Sequence, residues 1–223
     1  MKTKSRSIEQ IIEEQMQRWQ LMKSKKVKEK QGVSTITISR EPGSGGSVVA
    51  KKLAAKLDFK VFHREVLLEI AKRADVSERL LATLDEKRLS VLEDCISALV
   101  YDRHLWPDEY LKHLMKVIGA IGEHGRAIIV GRGANFVIPP ENRFRLRIVA
   151  PQNVRIANVA HAFDVTAEDA KRRIIRTESD RRAFIRKYFN ADIADPINYD
   201  LVINTGALKI DKAVEAVIAA IGL

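Results

Sequence analysis

The chain has one cysteine, Cys95, in 223 residues. No disulfide can close within it and no CxxC metal cluster can form. Cys95 falls in a helical pattern and reads as a buried structural thiol. Aromatic residues make up only 6%, with two tryptophans, a thin supply for the stacking platforms of single-strand nucleic-acid binders. No zinc-finger, RRM or KH signature is present, so nucleic acid is not an expected partner. The histidines (His63, His104, His113, His124, His161) show no zinc-ligand spacing. No stretch approaches the roughly 20 apolar residues of a membrane span. The opening MKTKSRSIEQ lacks a signal core. The expectation is a cytoplasmic protein without a membrane partner.

Negative charge is also in short supply. Thirty-nine basic side chains face 29 acidic ones, giving a formal charge of +10 and a pI of about 9.7. Such a surface suits phosphate-bearing partners, although a soluble basic protein needs no partner to have it. With 46% hydrophobic and 30% charged residues the composition is globular, and the length suits one domain with a small appendage.

The appendage is residues 1–32. Ile8, Ile11, Ile12, Met16, Trp19 and Met22 recur at helical spacing, and Ser7 with Gln10 has the form of a capping box. A basic linker, KSKKVKEKQG, follows. This amphipathic helix needs a partner for its apolar stripe. A second copy of the chain, giving a homodimer, is the expectation; its own domain is the alternative.

From Val33 onward, strands alternate with helices through residues 33–223. VSTITIS, FKVF, AIIVG (127–131), FRLRIVA (144–150) and YDLVINT (199–205) read as strands, nearly continuous in apolar residues. That pattern predicts a parallel sheet covered on both faces, an α/β three-layer sandwich. A long helical region covers 64–125, broken near WPDEY, where Pro107 can open a helix. The run AEDAKRRIIRTESDRRAFIRKYF reads as a helix opening after Thr166.

Between the first strand and the first helix stands REPGSGGS. Small residues let successive N–H groups point at one anion, and the helix N-terminus adds its dipole. Against the spacing G-x-x-x-x-G-K-[ST], Arg40 takes the first-glycine position, Gly46 the lysine position and Ser47 the magnesium-hydroxyl position. Alone, the pattern fits a plain turn as well. Arg40 and Glu41 lie at the carboxyl end of a buried strand, where ligands bind in open α/β sheets. VGRGAN places Arg132 at the same edge. Two arginines there can supply a lysine's charge and grip phosphate bidentately.

These motifs, TISREPGSGGSVVAKKLA, HREVL, AIIVGRGANFVI and DPINYDLVINT in that order, resemble the cytidylate-kinase-like family of P-loop nucleoside monophosphate kinases. The family's loop is similar, with S-R-E/Q before G-S-G-G and no lysine. The resemblance implies a P-loop NTPase fold with a five-stranded parallel sheet. It also implies a helical monophosphate-binding insert at 64–125 and a lid at 166–190. It further implies that ATP and Mg2+ serve as cofactors, with Gly43, Ser44, Gly45, Gly46 and Ser47 holding the donor phosphates and Ser47 near the metal. Arg132 corresponds to the arginine of the Gly-Arg-Asp motif that meets the acceptor monophosphate, with Gly133 where the family has the acid. In the lid, Arg173 and Arg181 are the expected catalytic cations; a solvated basic face is the alternative for each. The implied activity is transfer of the ATP γ-phosphate to CMP or a related monophosphate. A nucleotide-binding regulatory module without transfer activity is the rival, motivated by Gly46, Gly133 and His63.

Overall fold

A computed structural model describes residues 33–105 and 108–222, together with Gln10, Glu13, Glu14, Met16 and Gln17. Five strands form one parallel sheet: β1 (Thr35–Arg40), β2 (Lys60–Phe62), β3 (Ala127–Val130), β4 (Arg143–Val149) and β5 (Leu201–Asn204), in the order β2-β3-β1-β4-β5. β1 is central, pairing Ile36 with Ile128 on one side and with Phe144 on the other. Both of its faces are covered: Thr35, Ile36, Thr37 and Ile38 are all at most 1% exposed. The strand alternates Thr with Ile, yet both sets are buried, because neither face meets solvent. Its three buried hydroxyls all have partners: Thr35 Oγ1 donates to Gly122 O, Thr37 Oγ1 to Phe144 O, and Ser39 Oγ accepts from Arg147 Nη1.

On one face α1 (Gly46–Leu57) and α9 (Ile210–Ala220) bury Val49, Leu53, Val214 and Val217 against Ile36, Ile38 and Ile148. On the other lie four helices inserted between β2 and β3: α2 (Arg64–Lys72), α3 (Ala74–Leu81), α4 (Glu86–Asp102) and α5 (Glu109–His124). They bury Leu67, Leu80, Leu92 and Ile118 with Phe62 and Ile129 of the sheet. Asp85 and Asp108 cap α4 and α5, each accepting a backbone N–H at 2.8 Å. Pro107 lies outside the described residues. α4 comes so close to α5 that a side chain on Gly119 would fall within Leu92. Cys95, on α4, is half-buried rather than fully buried, because this helix buries little besides Leu92; burial still pushes its thiol above the ordinary range.

Beyond β3 come the short α6 (Ala134–Val137), then α7 (Gln152–Phe163) and α8 (Ala167–Phe189). Thr166 caps α8, accepting from the Asp169 N–H at 3.1 Å. The two halves of α8 have different surroundings. Ala170 and Ile174 form a small separate core with Val159 of α7. Ile185 and Phe189 belong to the main core beside Phe136.

Met16, from the N-terminal segment, is 3% exposed within the core of the helical insert, and Glu13 pairs with Arg79 of α3 at 3.0 Å. The described part of that segment therefore packs on its own chain. Ile8, Ile11, Ile12, Trp19 and Met22, and the Ser7 cap, lie outside the described residues. Among the described residues no helix is long and apolar enough to cross a membrane.

Candidate active site

Because all five strands are parallel, their carboxyl ends share one edge, and the loops leaving β1, β3 and β4 meet there. The first is the glycine loop. Gly43 has φ +79° and lies so close to α7 that a Cβ would be 2.5 Å from the Arg155 carbonyl oxygen. Gly45, at φ +74°, is the N-cap of α1. The loop's carbonyls are taken from behind: Asn158 Nδ2 donates to Gly43 O at 2.8 Å and Thr205 Oγ1 to Ser44 O at 2.7 Å. The Ser44 hydroxyl donates to Glu41 O at 2.8 Å, inside the turn. The first N–H groups of α1, at Gly46 and Ser47, have no intrahelical acceptor, so the loop opens to solvent through donors. The Ser47 side chain is exposed on this first turn.

Beside the loop is a cleft of about 130 Å3 lined by Arg40, Arg64, Arg132 and Arg181, with Glu65 as its one carboxylate among the described lining residues. Each arginine comes from a different element. Arg40 ends β1 and lays its guanidinium on the backbone at the end of β3: a Cβ on Gly131 would be 2.6 Å from Arg40 Nη1. Arg64 opens α2. Arg132 follows β3 in three consecutive left-handed residues, with φ of +85° at Gly131, +59° at Arg132 and +71° at Gly133. Only the middle one pays a steric penalty, and such strain concentrates at functional sites. The Arg132 guanidinium stacks on the Phe184 ring, 4.5 Å from its centroid. Arg181, on α8, donates from Nη1 to Arg40 O at 2.7 Å.

The electrostatics follow from this crowding. Burial lowers Arg40 to about 10, with Glu65 pulling the other way and Arg132 and Arg64 adding to the fall. Burial, then Arg40, Arg132 and Arg64, bring Arg181 down to about 9. Arg132 is lowered by burial and by Arg64. At about 10 and about 9, Arg40 and Arg181 both remain cationic at neutral pH. Three partly buried guanidinium groups and the exposed Arg64, against one carboxylate, make a site for an anion of more than one charge.

The structure thus brings Arg40, Arg132 and Arg181 together and sets Gly43 to Ser47 beside them. Arg173 stands elsewhere, its guanidinium 5.2 Å from the Phe163 ring on the exposed side of the α7–α8 pair. Arg64 and Glu65 are cleft residues that the motif reading did not single out for the site. Their signal was position: they follow the carboxyl end of β2 after a single residue, His63, at the same edge as Arg40. Asp200, at the start of β5, pairs with Arg145 at 2.6 Å. Asp195 caps a turn, accepting from the Ile197 N–H at 3.0 Å.

A family model described as the cytidylate kinase-like family matches residues 35–207. The chain belongs to the cytidylate kinase-like family. Cytidylate kinases are similar to it along most of its length. That of Ignicoccus hospitalis is 27% identical over 186 residues, covering 83% of this chain and 97% of its own. That of Methanopyrus kandleri is 29% identical over 196 residues, covering 83% and 92%. The crystal structure of an uncharacterized protein from Eubacterium ventriosum shares the fold, with a TM-score of 0.63 at 23% identity over 84% of this chain and 98% of that one. This member of the cytidylate kinase-like family is a kinase-like enzyme.

Within that family frame, the departure at Gly133 has a local cause. A Cβ there would fall inside the ring of Phe189, which is fully buried and stacked on Phe136 at 5.1 Å. The acid of the Gly-Arg-Asp pattern and this phenylalanine cannot occupy the same space.

Proposed function

We propose that this chain transfers the γ-phosphate of ATP to a nucleoside monophosphate, CMP or a close relative. The observation that carries the reading is the convergence of Arg40, Arg64, Arg132 and Arg181 beside a glycine loop that opens a helix. Phosphoryl transfer spreads negative charge over the moving group, and catalysis is mostly positioning plus cations around it. In this reading Gly43 to Ser47 hold the donor phosphates. Arg40 stands where the loop, the end of β3 and the cleft meet, and takes the part of the absent lysine. Arg132 meets the acceptor phosphate, which attacks the γ-phosphorus in line without a covalent enzyme intermediate. The apolar walls, Phe184 and Ile185, help exclude water.

The residues present suit a magnesium ion. Among the described residues no group of three or more His, Cys, Asp or Glu could hold a metal alone. Magnesium keeps several waters and takes phosphate oxygens with one or two protein ligands. The exposed Ser47 hydroxyl on the first turn of α1 is the ligand this chain would offer. The metal would neutralise charge between the β- and γ-phosphates.

The test is a coupled assay of ATP and GTP, with Mg2+, against all the nucleoside monophosphates. Turnover is expected with CMP or a related pyrimidine monophosphate. ATP binding without turnover on any acceptor would replace this reading with that of a nucleotide-binding regulatory module.

A further inference from the structure

The phosphate loop and helix α8 are tied together through one buried side chain. Arg155, on α7, is 8% exposed. Its Nε donates to Ala150 O at 2.9 Å and lies 3.4 Å from Glu41 Oε2, while its Nη1 donates to Glu178 of α8. Glu41 belongs to the loop leaving β1; its Oε2 also accepts from the Ala150 N–H at 3.0 Å. One helical turn beyond Glu178 stands Arg181, whose Nη1 donates to Arg40 O. Arg40 is the chain neighbour of Glu41. The ion pairs of Arg155 with Glu41 and Glu178, one turn of α8 from Glu178 to Arg181, the bond from Arg181 to Arg40 O and the peptide link from Arg40 to Glu41 therefore close a ring.

A buried guanidinium held between two carboxylates is a poor device for stability, because apolar replacements of similar volume are often as stable. What it does well is fix register between elements. The three elements joined here are the β1 end, α7 and α8. The small core of Val159, Ala170 and Ile174 holds α7 and α8 together but does not reach the loop.

We infer that Arg155 is a positioning residue: it sets α8 against the phosphate loop so that Arg181 reaches the cleft, and it does not itself touch substrate. The kinetic consequence rests on the kinase reading above; the geometry does not.

The test uses the full chain and the variants Glu178→Gln, Arg155→Met and Arg181→Met. Glu178→Gln keeps shape and removes one charge, so it serves if Arg155→Met fails to fold. Phenylglyoxal labelling of each arginine, read by mass spectrometry, is independent of turnover. In Glu178→Gln the labelling of Arg181 should rise severalfold while that of Arg145, paired with Asp200, stays unchanged. In the transfer assay Glu178→Gln should lower kcat/KM by about 10- to 100-fold, as loss of an outer partner does. Its loss and that of Arg181→Met should not add. Wild-type labelling at Arg181 in folded Glu178→Gln overturns the inference. So does a parallel rise at Arg145, which marks general loosening, and so do additive kinetic losses. If wild type turns over no acceptor, the kinase reading fails and the labelling still decides the role of Arg155.

Discussion

Gly46 is pressed against Arg40: a Cβ on Gly46 would lie 2.6 Å from the Arg40 Cβ and 3.5 Å from that of Ile148. The lysine position of the loop and the first-glycine position are therefore in contact, and only one of them has room for a side chain. A conventional loop has glycine first and lysine later. Here the arrangement is reversed, and the long cation leaves from the end of β1.

That contact makes a prediction about coupling. Gly46→Ala should destabilise by about 1–3 kcal/mol through overpacking, although alanine otherwise favours a helix. Arg40→Gly should remove the penalty. Urea melts of the two single variants and the double variant give the coupling directly; additive effects would mean that the two positions do not compete for space. Arg40→Gly combined with Gly46→Lys rebuilds the conventional order and should fold better than Gly46→Lys alone.

Arg132 combines strain with charge, so its variants should separate stability from activity. Arg132→Ala should reduce transition-state stabilisation by about 2–4 kcal/mol in kcat/KM, the scale of one preorganised donor. Arg132→Lys should not restore it, because the planar fork on Phe184 is lost. Arg132→Gly should be as inactive as the alanine variant yet more stable by about 1 kcal/mol, since φ +59° suits glycine. Wild-type kinetics for Arg132→Ala would remove the residue from the site.

What could be read from the chain beforehand divides along a physical line. The strands, α1 and α8 were legible because apolar runs and a cap at Thr166 are local signals. The cations at 40 and 132 were legible as candidates because topology alone carries strand ends to one edge; Arg181, inside a helix, was a candidate only through the resemblance to the family's lid. The Glu41–Arg155–Glu178 ring was not, because Arg155 sits in a stretch whose only local message is helix. Arg173 and Arg181 look alike in sequence, eight residues apart in one basic run. Packing separates them: Ile185 and Phe189 bury the end of α8 that carries Arg181 close to the core.

Gly133→Asp would write the missing acid back into the Gly-Arg-Asp pattern. Its Cβ meets the buried Phe189 ring and its φ is +71°. The expected loss is about 3 kcal/mol or more, from overpacking and left-handed strain together. Gly133→Asp with Phe189→Ala should recover part of the strain but open a cavity beside Phe136. A thermal melt showing Gly133→Asp as stable as wild type would mean that Phe189 can leave the site readily.

The pair of Asp200 and Arg145 gives a pH signature. Burial raises the Asp200 carboxyl, but the hydrogen bonds from the Arg145 side chain and backbone N–H outweigh it, leaving the pKa below 3.8. An acid with a lowered folded-state pKa contributes stability that is fully present above its unfolded value and lost as pH falls through the folded one. Because the pair is partly exposed, Asp200→Asn should lose only about 1 kcal/mol at neutral pH. The gap between wild type and variant should stay constant down to about pH 4 and close at lower pH. A gap unchanged in acid would assign the effect to shape rather than charge.

The N-terminal helix can be tested at Met16, where the stripe meets the described core. Met16 is 3% exposed among side chains of the insert, so Met16→Ala should lose about 2–5 kcal/mol. The neighbouring ion pair of Glu13 and Arg79 is about half exposed on both sides, and Glu13→Gln should lose less than about 1 kcal/mol. The two docking modes differ in how concentration enters. If the helix packs on its own insert, as Met16 does, the Met16→Ala loss is the same at any protein concentration. If the same stripe instead holds a second copy, wild-type stability rises with concentration and the gap to the variant widens. Urea melts at two concentrations about 100-fold apart separate the cases, because a dimer's midpoint moves with mass action while a monomer's does not. The expected result is a fixed midpoint and a fixed gap. A chain beginning at Gly32 should then be less stable, unchanged in association state, and still able to bind ATP, since among the described residues neither the glycine loop nor the arginine cleft includes one from the N-terminal segment.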